Sequence, residues 1–198
     1  WPAKGLRVAW HVELGTGYAA PTIAAGKLYH FDRFDDQARL TCRDARTGAL
    51  AWKYEYPTNY KDRYNYNNGP RCCPVVDGDR VYLHGVEGML VCVHAKDGKE
   101  LWKINTRDQY NIIQNFFGVG STPVIEGDLL LVMIGGSPSG STIRDFGNLK
   151  GNGTGMVAFD KFTGKEKYRI ADELASYASP VLATSAGLGE EAAFDWWA

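Results

Sequence analysis

Short runs of alternating apolar and polar residues, separated by turn residues, cover most of the chain. The clearest stretch has a β-branched run at 73–76, alternating runs at 80–84 and 89–94, and a last run at 99–104, with Gly-containing gaps between them. Alternation with a period of two is typical of half-buried strands, and Gly and Asp clusters are typical of the turns that join them. The pattern predicts a four-stranded antiparallel meander.

This strand pattern is repeated along the chain. A phrase with a Thr-Gly or Asp-Gly turn and an aromatic end returns at 42–52, 92–102 and 158–168. A second phrase, which opens with proline and an apolar pair, starts at Pro21, Pro74 and Pro123, and a copy that fades starts at Pro180. Self-similarity at such a period indicates a repeat architecture, and a repeated four-stranded sheet is typical of a β-propeller. We therefore predict an all-β fold, a β-propeller of four-stranded antiparallel blades.

The repeats also predict the domain organisation. Blades are expected at about 17–56, 70–106 and 119–171, and the next blade is expected to start at 177. These blades make up a partial propeller over 1–184, and a tail that does not continue the repeat follows at 185–198. Because propellers have about 4 to 8 blades, three full blades are part of a larger ring. We expect the remaining blades to come from the rest of a parent chain or from oligomerisation.

The two phrases together resemble the pyrroloquinoline quinone (PQQ) type repeat. They are Pro-Val-Val-Asp-Gly-Asp-Arg-Val-Tyr at 74–82 and Ala-Lys-Asp-Gly-Lys-Glu-Leu-Trp at 95–102, and the resemblance extends from residue 7 to about 182. This repeat builds the eight-bladed quinoprotein alcohol dehydrogenases and the cofactor-free propellers related to the outer-membrane assembly lipoprotein BamB. The resemblance implies an eight-bladed ring and a periplasmic or otherwise extracytoplasmic location.

Composition removes several classes of function. The chain has 22 Lys and Arg against 23 Asp and Glu, so no strong positive field favours nucleic acid. No apolar run is long enough for a transmembrane helix, and the first residues do not have the pattern of a signal peptide. The four cysteines fit neither a disulfide framework nor a zinc pattern. No catalytic motif occurs, so no catalytic residue and no metal ligand are assigned.

Candidate binding residues lie in the long connecting segments. Because strand direction alternates, the segments 32–38, 57–69, 107–118 and 135–155 are expected on one side of the propeller, which we call the long-loop face. The candidate ligand-binding residues there are Tyr64, Tyr66, Asn68, Arg71, Gln114 and Asn115. Aromatic rings and amides can stack on and hydrogen-bond a sugar, a planar cofactor or a peptide. The alternative is that the aromatic loop only packs on its neighbouring blade.

Cys72 and Cys73 allow two interpretations. In some quinoprotein dehydrogenases a disulfide between adjacent cysteines lies against PQQ, and the resemblance implies a PQQ-binding role for this pair. The other interpretation is two packed thiols, because small residues, Ala19-Ala20 and about Ser121-Thr122, occupy the equivalent positions of other copies.

Two functions follow from these observations. The preferred prediction is a non-enzymatic binding or scaffold module, with no cofactor, that holds a protein partner or a small ligand on its long-loop face. The alternative is a fragment of a PQQ-dependent alcohol dehydrogenase, with PQQ and calcium as cofactors.

Overall fold

The computed structural model describes residue 2 and residues 5–113, 117–174 and 177–183, and this part of the chain is nearly all β. Its strands form three antiparallel sheets of four strands, each connected as a simple meander. The first sheet contains β1 (Thr22–Ala24), β2 (Lys27–Phe34), β3 (Gln37–Asp44) and β4 (Leu50–Pro57). The second contains β5 (Val75–Asp77), β6 (Arg80–His84), β7 (Met89–His94) and β8 (Glu100–Asn105). The third contains β9 (Val124–Glu126), β10 (Leu129–Met133), β11 (Met156–Asp160) and β12 (Glu166–Ile170).

Two short helices interrupt the long segments, and neither was predicted. Helix α1 (Thr106–Tyr110) directly follows β8, and a 3-10 helix (Ile143–Asn148) lies between β10 and β11. Asn105 caps α1 by accepting from the backbone N–H of Asp108. Within the described residues no helix has the length and apolar composition needed to cross a membrane.

The sheets pack face to face through one recurring apolar interface. The face of the first sheet that meets the second carries Tyr29, Phe31, Leu40 and Cys42. They contact Val81, Leu83, Val91 and Val93 of the second sheet. The second interface repeats this arrangement, with Tyr82, Leu90 and Cys92 against Leu130, Val132, Val157 and Phe159. Neighbouring residues of a strand therefore face opposite interfaces, which is why the strands of the second sheet are apolar on both faces.

A tryptophan at the end of each of three repeats binds that repeat to the next sheet. The indole N–H of Trp10, Trp52 and Trp102 donates to the carbonyl oxygen of Ala45, Ala95 and Lys161, each at 3.1 Å. The ring lies over a glycine of the same hairpin, which is Gly48, Gly98 or Gly164. The repeated Trp and the repeated Gly are thus two halves of one contact between neighbouring sheets.

The face of the first sheet that points away from the second is polar. Asp32 is 1% exposed and its carboxylate accepts from Arg39 at 2.7 and 2.9 Å and from the backbone N–H of Gly15 at 2.7 Å. His30 and Thr41 lie on the same face. The second and third sheets have valine, leucine or phenylalanine on the corresponding face. The first sheet therefore does not offer the apolar surface by which the other two are joined.

His84 is a fully buried titratable group between the second and third sheets. The Thr106 hydroxyl donates to the Gly88 carbonyl oxygen, so the Nε2–H of His84 donates to Thr106 at 3.3 Å. Burial lowers the pKa of His84 from 6.5 to about 3. A buried imidazole stays neutral in the folded chain but takes up a proton when the chain unfolds in mild acid.

This burial predicts acid-sensitive stability. The free energy of unfolding should fall as the pH drops below about 6.5, by about 2 kcal/mol between pH 8 and pH 5. His84→Met, which copies Met133 at the equivalent position of the third sheet, should lose most of this dependence. Urea unfolding at pH 8 and pH 5 measures the free energy of unfolding of both proteins. If the variant loses as much stability between these pH values as the original protein, His84 is not the cause of the pH dependence.

Candidate binding site at the channel mouth

Equivalent residues of four successive repeats meet at one cavity. Each inner strand follows a proline, and the residues three positions before these prolines are Tyr18, Arg71, Gly120 and Tyr177. All four line a cavity of about 330 Å³, together with Asp62, Tyr66 and Phe117 from two long segments. Inner strands surround the axis of a propeller, so this cavity lies where the central channel opens on the long-loop face. We call it the channel pocket.

Hydrogen bonds between neighbouring inner segments hold these residues side by side. The Thr22 hydroxyl donates to the Pro74 carbonyl oxygen at 2.6 Å. The backbone N–H of Cys73 donates to the Thr122 hydroxyl at 3.1 Å, and the backbone N–H of Thr122 donates to the Ser179 hydroxyl at 2.9 Å. Each inner segment is thus tied to the next at nearly the same register, which brings the equivalent residues together at the pocket.

A buried ion pair forms one wall of the channel pocket. Arg71 Nη2 lies 2.7 Å from Asp62 Oδ2, and the two side chains are 8% and 0% exposed. The same guanidinium donates to the carbonyl oxygens of Gly69 at 2.6 Å and Asn67 at 3.0 Å. Three of its five N–H groups meet these acceptors and Asp62 balances its charge, so Arg71 supplies a neutral, preorganised wall and no strong anion site.

Aromatic rings form the remaining walls. Tyr64 and Tyr66 stack with centroids 6.0 Å apart and planes 22° apart, and Phe117 contacts both at 5.9 and 6.2 Å. The Tyr177 ring lies 5.7 Å from Phe117, and its hydroxyl accepts from the Phe117 backbone N–H at 2.9 Å. Tyr66 is 71% exposed, so much of its side chain is available to a ligand.

Only some of the predicted site residues lie at the channel pocket. Tyr66 and Arg71 line the channel pocket, and Tyr64 stacks behind Tyr66. The Asn68 side chain instead accepts from a backbone N–H of its own loop at 2.7 Å, so it shapes the segment. The predicted residues Gln114 and Asn115 lie outside the described residues.

Five pocket residues were not among the predicted binding residues, namely Tyr18, Asp62, Phe117, Gly120 and Tyr177. Three of them share a fixed distance to a repeated proline, so comparing the repeats position by position could have identified them. Asp62 has no such signal, because only the folded loop brings it to Arg71.

The structure places Cys72 and Cys73 beside the pocket, outside its lining. Both are free thiols, and Cys72 is fully buried. The Cys72 thiol donates to the Ser121 carbonyl oxygen at 3.1 Å, and burial raises the pKa of this thiol. A protonated thiol that points into the interface between two sheets is a packing group.

These residues do not fit the cofactors of the alternative prediction. A flat platform needs both sulfurs at the pocket surface, whereas Cys72 is fully buried and is not part of the pocket lining. Arg71 is already occupied by Asp62 and two carbonyl oxygens. In the ranges that the structure describes, no group of three His, Cys, Asp or Glu side chains could hold a metal ion. Calcium and PQQ are therefore not assigned to these residues.

Comparison with known proteins agrees with this architecture. The family model described as "Outer membrane protein assembly factor BamB" matches residues 39–192. The chain belongs to this family. The resemblance to the PQQ-type repeat is confirmed, and so is the all-β propeller fold. BamB from Moraxella catarrhalis superimposes with a TM-score of 0.54 at 18% identity, over 88% of this chain and 43% of that one.

Quinoprotein dehydrogenases are similar over most of the chain. A quinohemoprotein alcohol dehydrogenase of Pseudomonas putida is 27% identical over 173 aligned residues, and the alignment covers 84% of this chain and 21% of that protein. The dehydrogenase subunit of an alcohol dehydrogenase (quinone) of Gluconobacter oxydans is 29% identical over 178 residues, covering 83% of this chain. A europium-containing methanol dehydrogenase has a TM-score of 0.54 at 16% identity, over 84% of this chain and 27% of that one.

The curated relatives are much longer than this chain. The chain spans about a fifth of the length of the curated relatives it matches. Both are named dehydrogenases, so these relatives give no support to the expectation of a non-enzymatic module.

Proposed function

We propose that this chain is an arc of a larger PQQ-type propeller and binds a ligand at the channel mouth of its long-loop face. The observation that carries the proposal is the convergence of Tyr18, Arg71, Gly120 and Tyr177 on one cavity. Irregular segments on a rigid scaffold are where proteins commonly bind ligands, and a concave, mostly apolar cavity is the usual form of such a site.

The walls of the channel pocket favour an uncharged ligand that contains a ring. Tyr66 and Phe117 offer flat apolar faces for stacking, and the tyrosine hydroxyl groups offer hydrogen bonds at the rim. The Arg71–Asp62 pair is neutral as a unit, so a charge on the ligand gains little from it. A sugar ring or a small aromatic ring, free or carried by a protein partner, meets these requirements.

Phenyl β-D-glucoside, which carries both kinds of ring, tests this proposal by saturation-transfer NMR on the intact protein. We expect transfer to the glucoside, with most of it lost in Tyr66→Ala because the stacking face is removed. Phe162→Ala is the matched control, since Phe162 is also exposed and lies beside Arg80 and Lys161, outside the pocket lining. Equal transfer in both variants would contradict binding at the channel pocket.

A quinoprotein dehydrogenase arc is the second candidate, favoured by the names of the curated relatives. Under this proposal PQQ and calcium would be held by parts of the ring outside the described residues. Dye-linked alcohol oxidation after addition of PQQ and Ca²⁺ separates the two candidates. For either one we propose an extracytoplasmic location, since the family is named for an outer-membrane assembly factor.

A further inference from the structure

The long-loop face carries a second cavity that the proposed function does not use. Its volume is about 780 Å³, which is within the usual range for a small-molecule site. Its lining residues are Lys61, Arg63, Arg107, Asp108, Asn111, Ile112, Ile113 and Ile143. We call it the basic cleft.

The segment 57–69 separates the basic cleft from the channel pocket. Lys61 and Arg63 line the cleft, whereas Asp62 and Tyr66 line the pocket. Asp62 is fixed by its ion pair with Arg71, and its two neighbours in sequence line the other cavity. The cationic wall of the cleft is therefore supported by the same buried pair that shapes the pocket.

Hydrogen bonds join the other two walls of the cleft. Asn111, which ends α1 with a left-handed backbone at φ 51°, donates through its side-chain amide to the Pro138 carbonyl oxygen at 2.8 Å. The Asn152 amide donates to the Ser137 carbonyl oxygen at 2.8 Å and to the Tyr110 carbonyl oxygen at 3.2 Å. The segment that carries Ile143 is thus anchored to the helix that carries Arg107.

The cleft combines positive charge with an apolar surface. The described lining of the cleft contains three cationic side chains, Lys61, Arg63 and Arg107, and one carboxylate, Asp108, which accepts from the Asn105 amide at 2.6 Å. The whole chain is almost neutral, so this is a local excess of positive charge. Ile112 is buried in the wall, and Ile143 is 53% exposed. Charge that is concentrated in a cleft attracts ions of opposite sign, and the isoleucines favour an apolar group on the same ion.

We propose that the basic cleft binds a compact amphiphilic anion, such as a medium-chain carboxylate. The carboxylate lies among Lys61, Arg63 and Arg107, and the alkyl chain covers Ile112 and Ile143. The interaction needs neither the channel pocket nor the remaining blades, so its test is independent of the proposed function.

Calorimetric titration of the intact protein with octanoate tests the proposal, with 1-octanol as the uncharged ligand of equal chain length. We expect octanoate to bind more tightly than 1-octanol, and binding to weaken as salt is added. Arg63→Gln combined with Arg107→Gln should weaken octanoate binding by about tenfold or more and leave 1-octanol unchanged. Arg46→Gln, an exposed arginine in the β3–β4 turn outside the cleft, is the matched control and should change neither ligand.

Ile143→Ser tests the apolar half of the site. It should weaken both ligands, and circular dichroism of each variant checks that the fold is retained. Failure to bind octanoate, equal affinity for octanoate and 1-octanol, or no effect of the double arginine variant would overturn the proposal. Tighter binding of tetraglutamate than of octanoate would also overturn it, because the cleft would then recognise charge alone.

Discussion

Arg71→Met should destabilise the protein by about 3–5 kcal/mol, the usual cost of leaving one member of a buried ion pair alone. The Asp62 side chain has no exposed area, and Arg71 is the cation that balances it. Methionine fills similar volume but offers no hydrogen bond to the carboxylate or to the carbonyl oxygens of Gly69 and Asn67. Chemical denaturation monitored by circular dichroism measures the loss.

The control for this prediction removes the orphaned charge. Asp62→Asn in the Arg71→Met background keeps an oxygen that can accept from the Tyr64 backbone N–H, which Asp62 Oδ1 does at 2.7 Å. The double variant should recover at least about 1 kcal/mol relative to Arg71→Met. If Arg71→Met alone lowers the free energy of unfolding by less than about 1 kcal/mol, the Arg71–Asp62 pair is a weak, solvent-screened ion pair. This result would contradict its role as a rigid wall of the channel pocket.

Gly98→Ala should cost about 2–4 kcal/mol because two effects add at this position. The backbone φ of Gly98 is +74°, a conformation that residues with a Cβ rarely adopt. The added Cβ would also lie 2.5 Å from Cε3 of Trp52, so the indole would have to leave its place. Because Trp52 pins the first sheet to the second, unfolding should become less cooperative as well as easier.

Gly78→Ala is the matched control for the tryptophan contact. Gly78 has φ +55°, and an added Cβ there would meet no atom within 4 Å. Gly78→Ala should therefore lower the free energy of unfolding by the backbone strain alone, which is about 1 kcal/mol. Equal midpoints of thermal unfolding for the two alanine variants would mean that the contact between Trp52 and Gly98 does not hold the sheets together.

The fold could be predicted because its determinants are local and repeated. The period-two runs, the glycine turns and the recurring Trp are all visible in the sequence, and the three sheets follow them closely. Each repeat forms hydrogen bonds mainly with its own strands, so one regular copy such as 73–104 was enough to predict all three.

The site could be predicted only in part, because its residues meet across long sequence separations. Tyr66 and Arg71 were predicted from one conspicuous loop, but Tyr177 contacts Phe117 from 60 residues away. Helix α1 is held by an Asn cap and by contacts with the segment 135–155, neither of which forms a periodic pattern. The cationic residues of the basic cleft were missed for the same reason, since isolated charges in irregular segments have no spacing that marks a site.

If Cys72 and Cys73 are packing residues and the long-loop face binds its ligand in the aromatic channel pocket, the protein should not bind PQQ. Titration of the intact protein with PQQ and Ca²⁺, followed by the quinone absorbance and dye-linked alcohol oxidation, measures this binding. We expect no stoichiometric complex at micromolar PQQ and no turnover, and the same result for Cys73→Ser. A one-to-one complex that oxidises alcohol and is lost in Cys73→Ser would contradict the packing role and would make the cysteine pair a cofactor contact.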